Sequence, residues 1–325
     1  MALIATSPSP AATLRPDRFG RLATKLRIQL TDACNLRCLY CMGEDATFLP
    51  REDLLTPREL GRLSGSLRDL GIVQARITGG EPTLRSDFLD CVEAIAAAGW
   101  ERLGLTTNGL RLAGLAKPLA DLGLHGANVS LDSLDADNFR RIARRPGLSE
   151  VLRGIDAARA AGLRVKINCV VMAGVNDHEL LDFAAFSARE GIEVRFLEAM
   201  KVGPLASATQ DPLVPSATLR LRLREALGEP VVPAVEPDAT ATLAHYASGA
   251  RLGFVSSETE PFCGGCSRLR LSATGTLRAC LFRKEGVSLR DLPPEAIPNA
   301  VQSTLARKPE GRLASVSEGM NAIGG

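Results

Sequence analysis

Aromatic side chains are scarce in this sequence, with ten Phe, two Tyr and one Trp among 325 residues. So few flat side chains leave no series of platforms on which single-stranded bases stack. Charge of one sign is also lacking, since 39 basic and 37 acidic residues leave a net +2. That balance gives no electrostatic footprint for nucleic acid or for an anionic membrane. No apolar run approaches the ~20 residues of a transmembrane helix. Lysine is rare, six against 33 arginines, so a strand lysine carries more information than a lone arginine. Residues 1–15 are rich in Ala, Ser and Pro and have no basic n-region, so residues 1–20 are expected to be a flexible tail on a cytoplasmic chain.

A chain of 325 residues admits one large domain with an extension, or two domains. It can bury a core that needs no disulfides. Its eight cysteines, at 34, 38, 41, 91, 169, 263, 266 and 280, fall as two triplets and two singles. With no secretory signal, such bunching points to metal or catalytic chemistry rather than to a disulfide framework. Cys91 and Cys169 stand among apolar residues and read as buried structural thiols.

One punctuation recurs five times: an amphipathic helix, a glycine, then an apolar residue that opens a strand. The glycines are Gly71, Gly99, Gly123, Gly162 and Gly191. Glycine supplies the left-handed conformation that ends a helix. In the helix before Gly99, Ser86 is the expected N-cap, and Phe88, Leu89, Val92 and Ile95 form the apolar face. With Leu26–Thr31 in front, six strands alternate with helices, which means parallel strands with right-handed crossovers.

Within the strands, polar and apolar residues alternate. Arg27, Gln29 and Thr31 oppose Leu26, Ile28 and Leu30; Lys166 and Asn168 oppose Val165, Ile167 and Cys169. Arg76 with Thr78, and Asn128 with Ser130 and Asp132, repeat the pattern. A closed eight-stranded barrel fills its interior with branched apolar residues. A polar inner face points instead to an open, partial barrel around a polar ligand; an open sheet with polar strand ends is the alternative. After Met200 the pattern changes, and from about Thr242 short strands and turns surround three cysteines. The expected division is an α/β barrel over 21–205 and a C-terminal region over 206–325.

Cys34, Cys38 and Cys41 follow the first strand with the spacing C-x3-C-x2-C. That places them at the C-terminal face, where parallel α/β folds put their active sites. Structural zinc wants four ligands, and no histidine lies nearby. Three cysteines on a 4Fe–4S cluster leave one iron open to chelate a small molecule. Cys263, Cys266 and Cys280 are again three. They suit a second cluster with an open iron, or a zinc that recruits His245. Between them a three-residue hairpin loop, Ala273-Thr274-Gly275, pairs Leu271 with Leu277 and Arg270 with Arg278. Arg268 and Arg270 then share the face of Cys280, and arginine suits bidentate phosphate binding. A buried strand lysine such as Lys166 also calls for an anion.

Cys-Asn-Leu-Arg-Cys-Leu-Tyr-Cys (34–41) and Gly79-Gly80-Glu81-Pro82 resemble the two hallmarks of the radical S-adenosylmethionine (SAM) superfamily. The resemblance implies a partial (β/α)6 barrel whose first cluster binds SAM and cleaves it to methionine and a 5′-deoxyadenosyl radical. Both cysteine triplets, Arg268-Leu269-Arg270 and the Gly324-Gly325 terminus resemble one branch, the GTP 3′,8-cyclase of molybdenum-cofactor biosynthesis. That branch converts GTP into (8S)-3′,8-cyclo-7,8-dihydroguanosine 5′-triphosphate: the radical takes the ribose 3′-hydrogen, and C3′ attacks C8 of guanine. Its cofactors are two 4Fe–4S clusters, on Cys34, Cys38 and Cys41 and on Cys263, Cys266 and Cys280, together with SAM.

By the same resemblance Tyr40, Gly80, Ser130 and Met200 line the SAM site, and Arg27, Arg76, Thr107, Lys166, Arg268, Leu269 and Arg270 contact GTP. Arg27, Arg268, Arg270, Gly324 and Gly325 would serve the reaction, the diglycine by reaching into the site. Gln74 stands where the family often has lysine. Family analogy adds a reductant protein of unknown identity, a downstream cyclic pyranopterin monophosphate synthase and a homodimer, with no nucleic-acid or membrane partner. A peptide-modifying maturase with an auxiliary cluster is the rival within the superfamily; a non-catalytic iron–sulfur electron carrier is the rival outside it.

Overall fold

The structure is a computed structural model that describes residues 14–236, 238–314 and 318–324. Six parallel strands, β1 (Lys25–Gln29), β2 (Gln74–Thr78), β3 (Arg102–Thr107), β4 (Gly126–Ser130), β5 (Arg164–Val171) and β6 (Glu193–Glu198), lie side by side in chain order. Between them run helices α1 (Pro57–Asp69), α2 (Phe88–Ala96), α3 (Leu112–Asp121), α4 (Ala136–Ala143), α5 (Leu148–Ala160) and α6 (Leu180–Glu190). A doubly wound sheet reverses its strand order at a switch point. This one never reverses, so the chain winds in one direction, as in a barrel.

After α7 (Ser216–Leu227) come β7 (Thr242–His245), β8 (Arg251–Val255), β9 (Arg268–Leu271), β10 (Thr276–Arg278) and β11 (Gly286–Ser288), then α8 (Ile297–Ala306) and α9 (Met320–Ile323). These later strands extend the same sheet at both edges. β8 lies parallel to β6 and β9 parallel to β1, while β7, β10 and β11 add antiparallel pairs. Among the described residues the outermost strands, β7 and β11, do not pair with each other. The barrel is partial.

The five helix-ending glycines all take positive φ, between 64° and 92°. α1 opens with a reciprocal cap: Thr56 Oγ1 accepts from the Glu59 amide at 3.3 Å, and the Glu59 carboxylate accepts from the Thr56 amide at 2.7 Å. At α2 the expected cap shifts by one residue. Asp87 rather than Ser86 is the N-cap, and its carboxylate is held by the Arg85 guanidinium at 2.8–2.9 Å instead of capping. One continuous core runs from Leu26, Ile77 and Val194 through Leu252, Leu269 and Leu277. Residues 14–20 depart from the expected tail, since Leu14 and Asp17 are buried and Asp17 chelates Arg21 at 2.7 Å. Residues 1–13 lie outside the described residues.

Candidate active site

Inside the curve of the sheet lies a cavity of about 330 Å³, lined from alternating strand positions by Arg27, Thr78, Asn128, Ser130, Asn168 and Arg195. All six triplet cysteines open into it as free thiols, as do Tyr40, Gly80, Thr107 and Met200. Two loops far apart in sequence therefore share one chamber.

The end of β2 presses against the backbone that leads into Cys34. A Cβ on Gly80 would lie 2.3 Å from the Asp32 carbonyl and 2.4 Å from that of Ala33. The Gly80 amide donates to the Thr31 carbonyl and the Glu81 amide to the Ala33 carbonyl, both at 2.7 Å. Only glycine permits that approach. Glu81 is fully buried and accepts from Thr107 Oγ1 at 2.8 Å and the Asn108 amide at 2.6 Å, tying the ends of β2 and β3 together. Burial pushes its carboxyl up, against those hydrogen bonds.

Tyr40 donates its hydroxyl to Asp132 at 2.8 Å, and Asp132 also accepts from the Val170 amide at 2.8 Å. Burial raises the Asp132 carboxyl to about 6, with both bonds opposing. Burial, then Asp132 and the other two cysteines, pushes the Cys38 thiol well up; burial and Cys34 take Cys41 to about 12. Three thiols that repel one another as thiolates are poorly matched to an empty loop and well matched to a cationic centre. Among the described residues no three such side chains meet closely enough to ligate a single ion. An iron–sulfur cube would take one thiolate from each of the three cysteines and leave one iron without a protein ligand.

At the second triplet, Arg268 donates to Cys266 Sγ at 3.3 Å and stacks on Phe262. Burial alone would raise the Cys266 thiol, but Arg268 and Lys308 outweigh it and bring it to about 7. Thiolate is the ligand form, so Cys266 is disposed to bind a metal centre, while burial and the neighbouring cysteines push the Cys263 thiol up. Lys308, only 3% exposed, donates to the carbonyls of Arg268 (2.6 Å) and Ala279 (3.1 Å). His245, the alternative zinc ligand, sits on edge strand β7 and does not line the cavity.

The hairpin register matches its expectation: Leu271 pairs with Leu277, Arg270 with Arg278, and Gly275 takes φ +92°. β9 in turn pairs Arg270 with Arg27, and β1 pairs Arg27 with Arg76. Three arginines thus form one row, with Arg268 two residues along. No carboxylate bridges Arg27, Arg76, Arg268 or Arg270 within 4 Å among the described residues. Burial, then Arg270, Arg268 and Arg76, pulls Arg27 well below its ordinary value; burial brings Arg76 and Arg270 to about 10. Gly104 faces Arg76 across the register, where a Cβ would come within 3.1 Å of the guanidinium. Concentrated positive charge without a protein counter-ion is what a polyanion neutralises.

Three expected contacts look different in the fold. Arg76 does not line the cavity, and its guanidinium donates to the Leu105 carbonyl at 3.0 Å. Lys166 is paired at 2.9 Å with Glu193, its register partner on β6, so a protein carboxylate already accounts for its burial, and it does not line the cavity. Leu269 is fully buried in the core, leaving only its backbone for a ligand. The tail enters the chamber. The Met320 amide donates to the Cys41 carbonyl at 3.1 Å, Gln29 Nε2 to the Asn321 carbonyl at 2.8 Å, and Arg270 to the Gly324 carbonyl at 2.5 Å. Gly325 lies outside the described residues. Sequence reasoning missed Asp132, Arg195, Lys308 and the latching role of Gln29. The alternation of polar strand residues held a signal for Gln29 and Asp132; nothing local marked Lys308.

An unreversed parallel sheet around a polar lumen, with a cysteine triplet at the mouth of its first strand, defines a radical SAM fold. The sequence model of the Radical SAM superfamily matches residues 28–187, and that of Molybdenum Cofactor Synthesis C matches 192–313. Similar solved structures include Streptococcus suis SuiB bound to S-adenosylmethionine (TM-score 0.62, 14% identity, 88% of this chain and 68% of that one). Native anSMEcpe with bound AdoMet is another (TM-score 0.59, 14% identity, 88% and 81%). At such identity the likeness is one of fold. The sequence is 39% identical to the GTP 3′,8-cyclase of Synechocystis, over 97% of this chain and 96% of the relative. It is 39% identical to that of Rhodopseudomonas palustris (98% and 98%) and 40% to that of Erythrobacter litoralis (95% and 96%). The chain belongs to the GTP 3′,8-cyclase family.

Proposed function

We propose that this chain is a radical SAM enzyme that converts GTP into (8S)-3′,8-cyclo-7,8-dihydroguanosine 5′-triphosphate for molybdenum-cofactor biosynthesis. The carrying observation is that two cysteine triplets face one chamber together with Arg27, Arg268 and Arg270, none of which has a carboxylate partner among the described residues. Cys34, Cys38 and Cys41 would hold the SAM cluster, and Cys263, Cys266 and Cys280 a second 4Fe–4S cluster. When bound, the first cluster with SAM supplies the 5′-deoxyadenosyl radical that takes the ribose 3′-hydrogen.

The chain's own residues do the rest. Gly80, Ser130, Tyr40 and Met200 shape the SAM side of the chamber. Arg27, Arg268 and Arg270 neutralise the triphosphate, with the charge of Arg76 beside Arg27 adding to the field, and fix the nucleotide across the lumen, so that C3′ faces the radical source and C8 lies within reach of C3′. Thr107, held by Glu81, bounds the nucleotide from β3 and the Leu269 backbone from β9, while Lys166, held by Glu193 outside the cavity lining, is left to the fold rather than to the substrate. The described part of the tail, with Gly324 on Arg270, closes the mouth and excludes water. Residues 21–205 thus form the SAM half and 206–325 the half that grips the base, although both contribute strands to one sheet. No described helix is long and apolar enough to cross a membrane; a cytoplasmic homodimer, an electron-donating protein and a downstream cyclic pyranopterin monophosphate synthase complete the reading.

Anaerobic incubation of the reconstituted protein with SAM, dithionite and GTP tests it. We expect 5′-deoxyadenosine to form only when GTP is present; equal formation without GTP overturns the assignment. Arg27→Ala should weaken GTP binding by about 10–100-fold, the worth of a charged hydrogen bond. Arg268→Ala and Arg270→Ala should keep their iron and lose turnover; iron loss in these variants would refute their assignment to substrate.

A further inference from the structure

α4 forms a wall one helix thick between the chamber and solvent. Its inner face, Phe139, Ile142 and Ala143, lines the cavity beside Cys38 and Tyr40. Its end is hydrogen-bonded to the cysteine loop, the Arg37 amide donating to the Ala143 carbonyl and the Leu39 amide to the Ile142 carbonyl, each at 3.0 Å. A helix with side chains is ~10 Å across. The outer face of α4 is therefore one helix away from the part of the chamber beside Cys38 and Tyr40.

The outer side of α4 is acidic at its start, where Asp135 and Asp137 are exposed, and basic over its last turn and the residues that follow. Arg140, Arg141, Arg144 and Arg145 are all exposed within six consecutive residues. Arg37, between Cys34 and Cys38, wraps the outside of the cysteine loop and donates to the Cys34 carbonyl at 2.6 Å. The carboxylate facing this group is Glu44, 3.1 Å from Arg145 and 3.6 Å from Arg144. Arg140 has no ion pair among the described residues. Cations near a helix C-terminus do favour the dipole, but that preference explains one or two of them. Arg144 ends the helix at φ +57°, and it is the one residue other than glycine with positive φ among those described. An arginine stands there although glycine would adopt that conformation without strain. A chain with a net charge of +2 has thus placed a dense local positive patch directly behind the first triplet.

We propose that this arginine face docks the one-electron donor of the enzyme, a small acidic redox protein. The inference rests on the SAM-cluster reading of Cys34, Cys38 and Cys41, which requires one electron per cleavage from outside the chain. Electron-transfer encounters are small, short-lived and steered by complementary charge. A positive patch over a thin wall has the two properties such an encounter needs. Glu44 holds Arg144 and Arg145 in place and is the group a partner's carboxylates would displace.

The test compares two reductants on the reconstituted enzyme and on Arg140→Glu/Arg144→Glu/Arg145→Glu, with the corresponding triple Gln variant as a milder second. The probes are photoreduced flavodoxin, an acidic flavoprotein, and dithionite, a small ion that needs no docking. Bleaching of the cluster absorbance is followed by stopped flow at low and high salt. We expect charge reversal to slow reduction by flavodoxin at least about tenfold, the Gln variant to fall between, and dithionite rates to stay unchanged. Wild-type reduction by flavodoxin should also slow as salt rises. Equal flavodoxin rates in all three proteins overturn the proposal. So does equal slowing with both reductants, which would mean a damaged cluster loop. Retention of wild type on heparin, lost in the variants without any change in flavodoxin rate, would mark a general polyanion surface and overturn it as well. Absence of a bleachable cluster in the wild type would instead defeat the SAM-cluster reading itself.

Discussion

Lys308 offers the sharpest check on how the second triplet is built. Its ammonium is buried to 3% exposure, with no carboxylate partner among the described residues, and donates to the Arg268 and Ala279 carbonyls at 2.6 and 3.1 Å. Those two peptides flank Cys266 and Cys280, so one side chain on the segment after α8 clamps β9 to the end of the hairpin. Lys308→Met removes both bonds while keeping most of the volume. Each charge-assisted bond is worth about 1.5–3 kcal/mol. Part of that sum is returned, because the variant no longer desolvates an ammonium. A net loss of about 2–4 kcal/mol remains, and at roughly 1.5–2 °C per kcal/mol for a chain of this size Tm should fall by about 3–8 °C. Calorimetry of the metal-free, reduced protein reads this directly. Hydrogen exchange should quicken over 263–282 before it does over β2 to β5. Lys308→Arg, which keeps a cation, should lose less. A Tm indistinguishable from wild type, with protection over 263–282 unchanged, would refute the clamp.

Other outcomes follow from contacts of the same kind. Gly80→Ala puts a methyl 2.3 Å from a backbone oxygen; SAM binding by equilibrium dialysis should be lost while Tm changes far less, and unaltered SAM affinity would show that the β2 end has room to move. Gln29→Glu sets a carboxylate against the Asn321 and Ala322 carbonyls where Gln29 now donates. Residues 319–324 should then become quickly cleaved in limited proteolysis, and continued resistance would remove Gln29 as the tail latch. At Glu59, burial opposes ionisation but the Arg290 and Thr56 hydrogen bonds prevail and hold the carboxyl at about 2. A depressed carboxyl stabilises the fold above its unfolded value near 4.3 and loses that contribution as pH falls toward 2. Glu59→Gln should therefore cost about 0.5–2 kcal/mol at neutral pH, and less with each step below pH 4; a pH-independent difference would contradict the pairing.

Much of this protein could be read from local pattern alone. Glycines after helices, alternation along strands and the two cysteine spacings depend on residues a few positions apart, and such residues meet in any fold that keeps their secondary structure. Hence the six strands, the partial barrel and the Arg270–Arg278 register were legible, whereas the packing of the Gly79-Gly80 turn on the backbone before Cys34 was not. What the linear pattern could not supply is which distant groups neutralise each other. Lys166 looked like an anion seeker until β5 and β6 set it opposite Glu193. Arg27 and Arg270 became neighbours only because β9 returns, some 240 residues later, to lie parallel beside β1. Lys308, Gln29 and the inner face of α4 gained their roles in the same way. Short-range sterics and periodicity fix the elements; the electrostatic balance of a buried chamber depends on every strand that lines it, and that is known only once the sheet has curved around it.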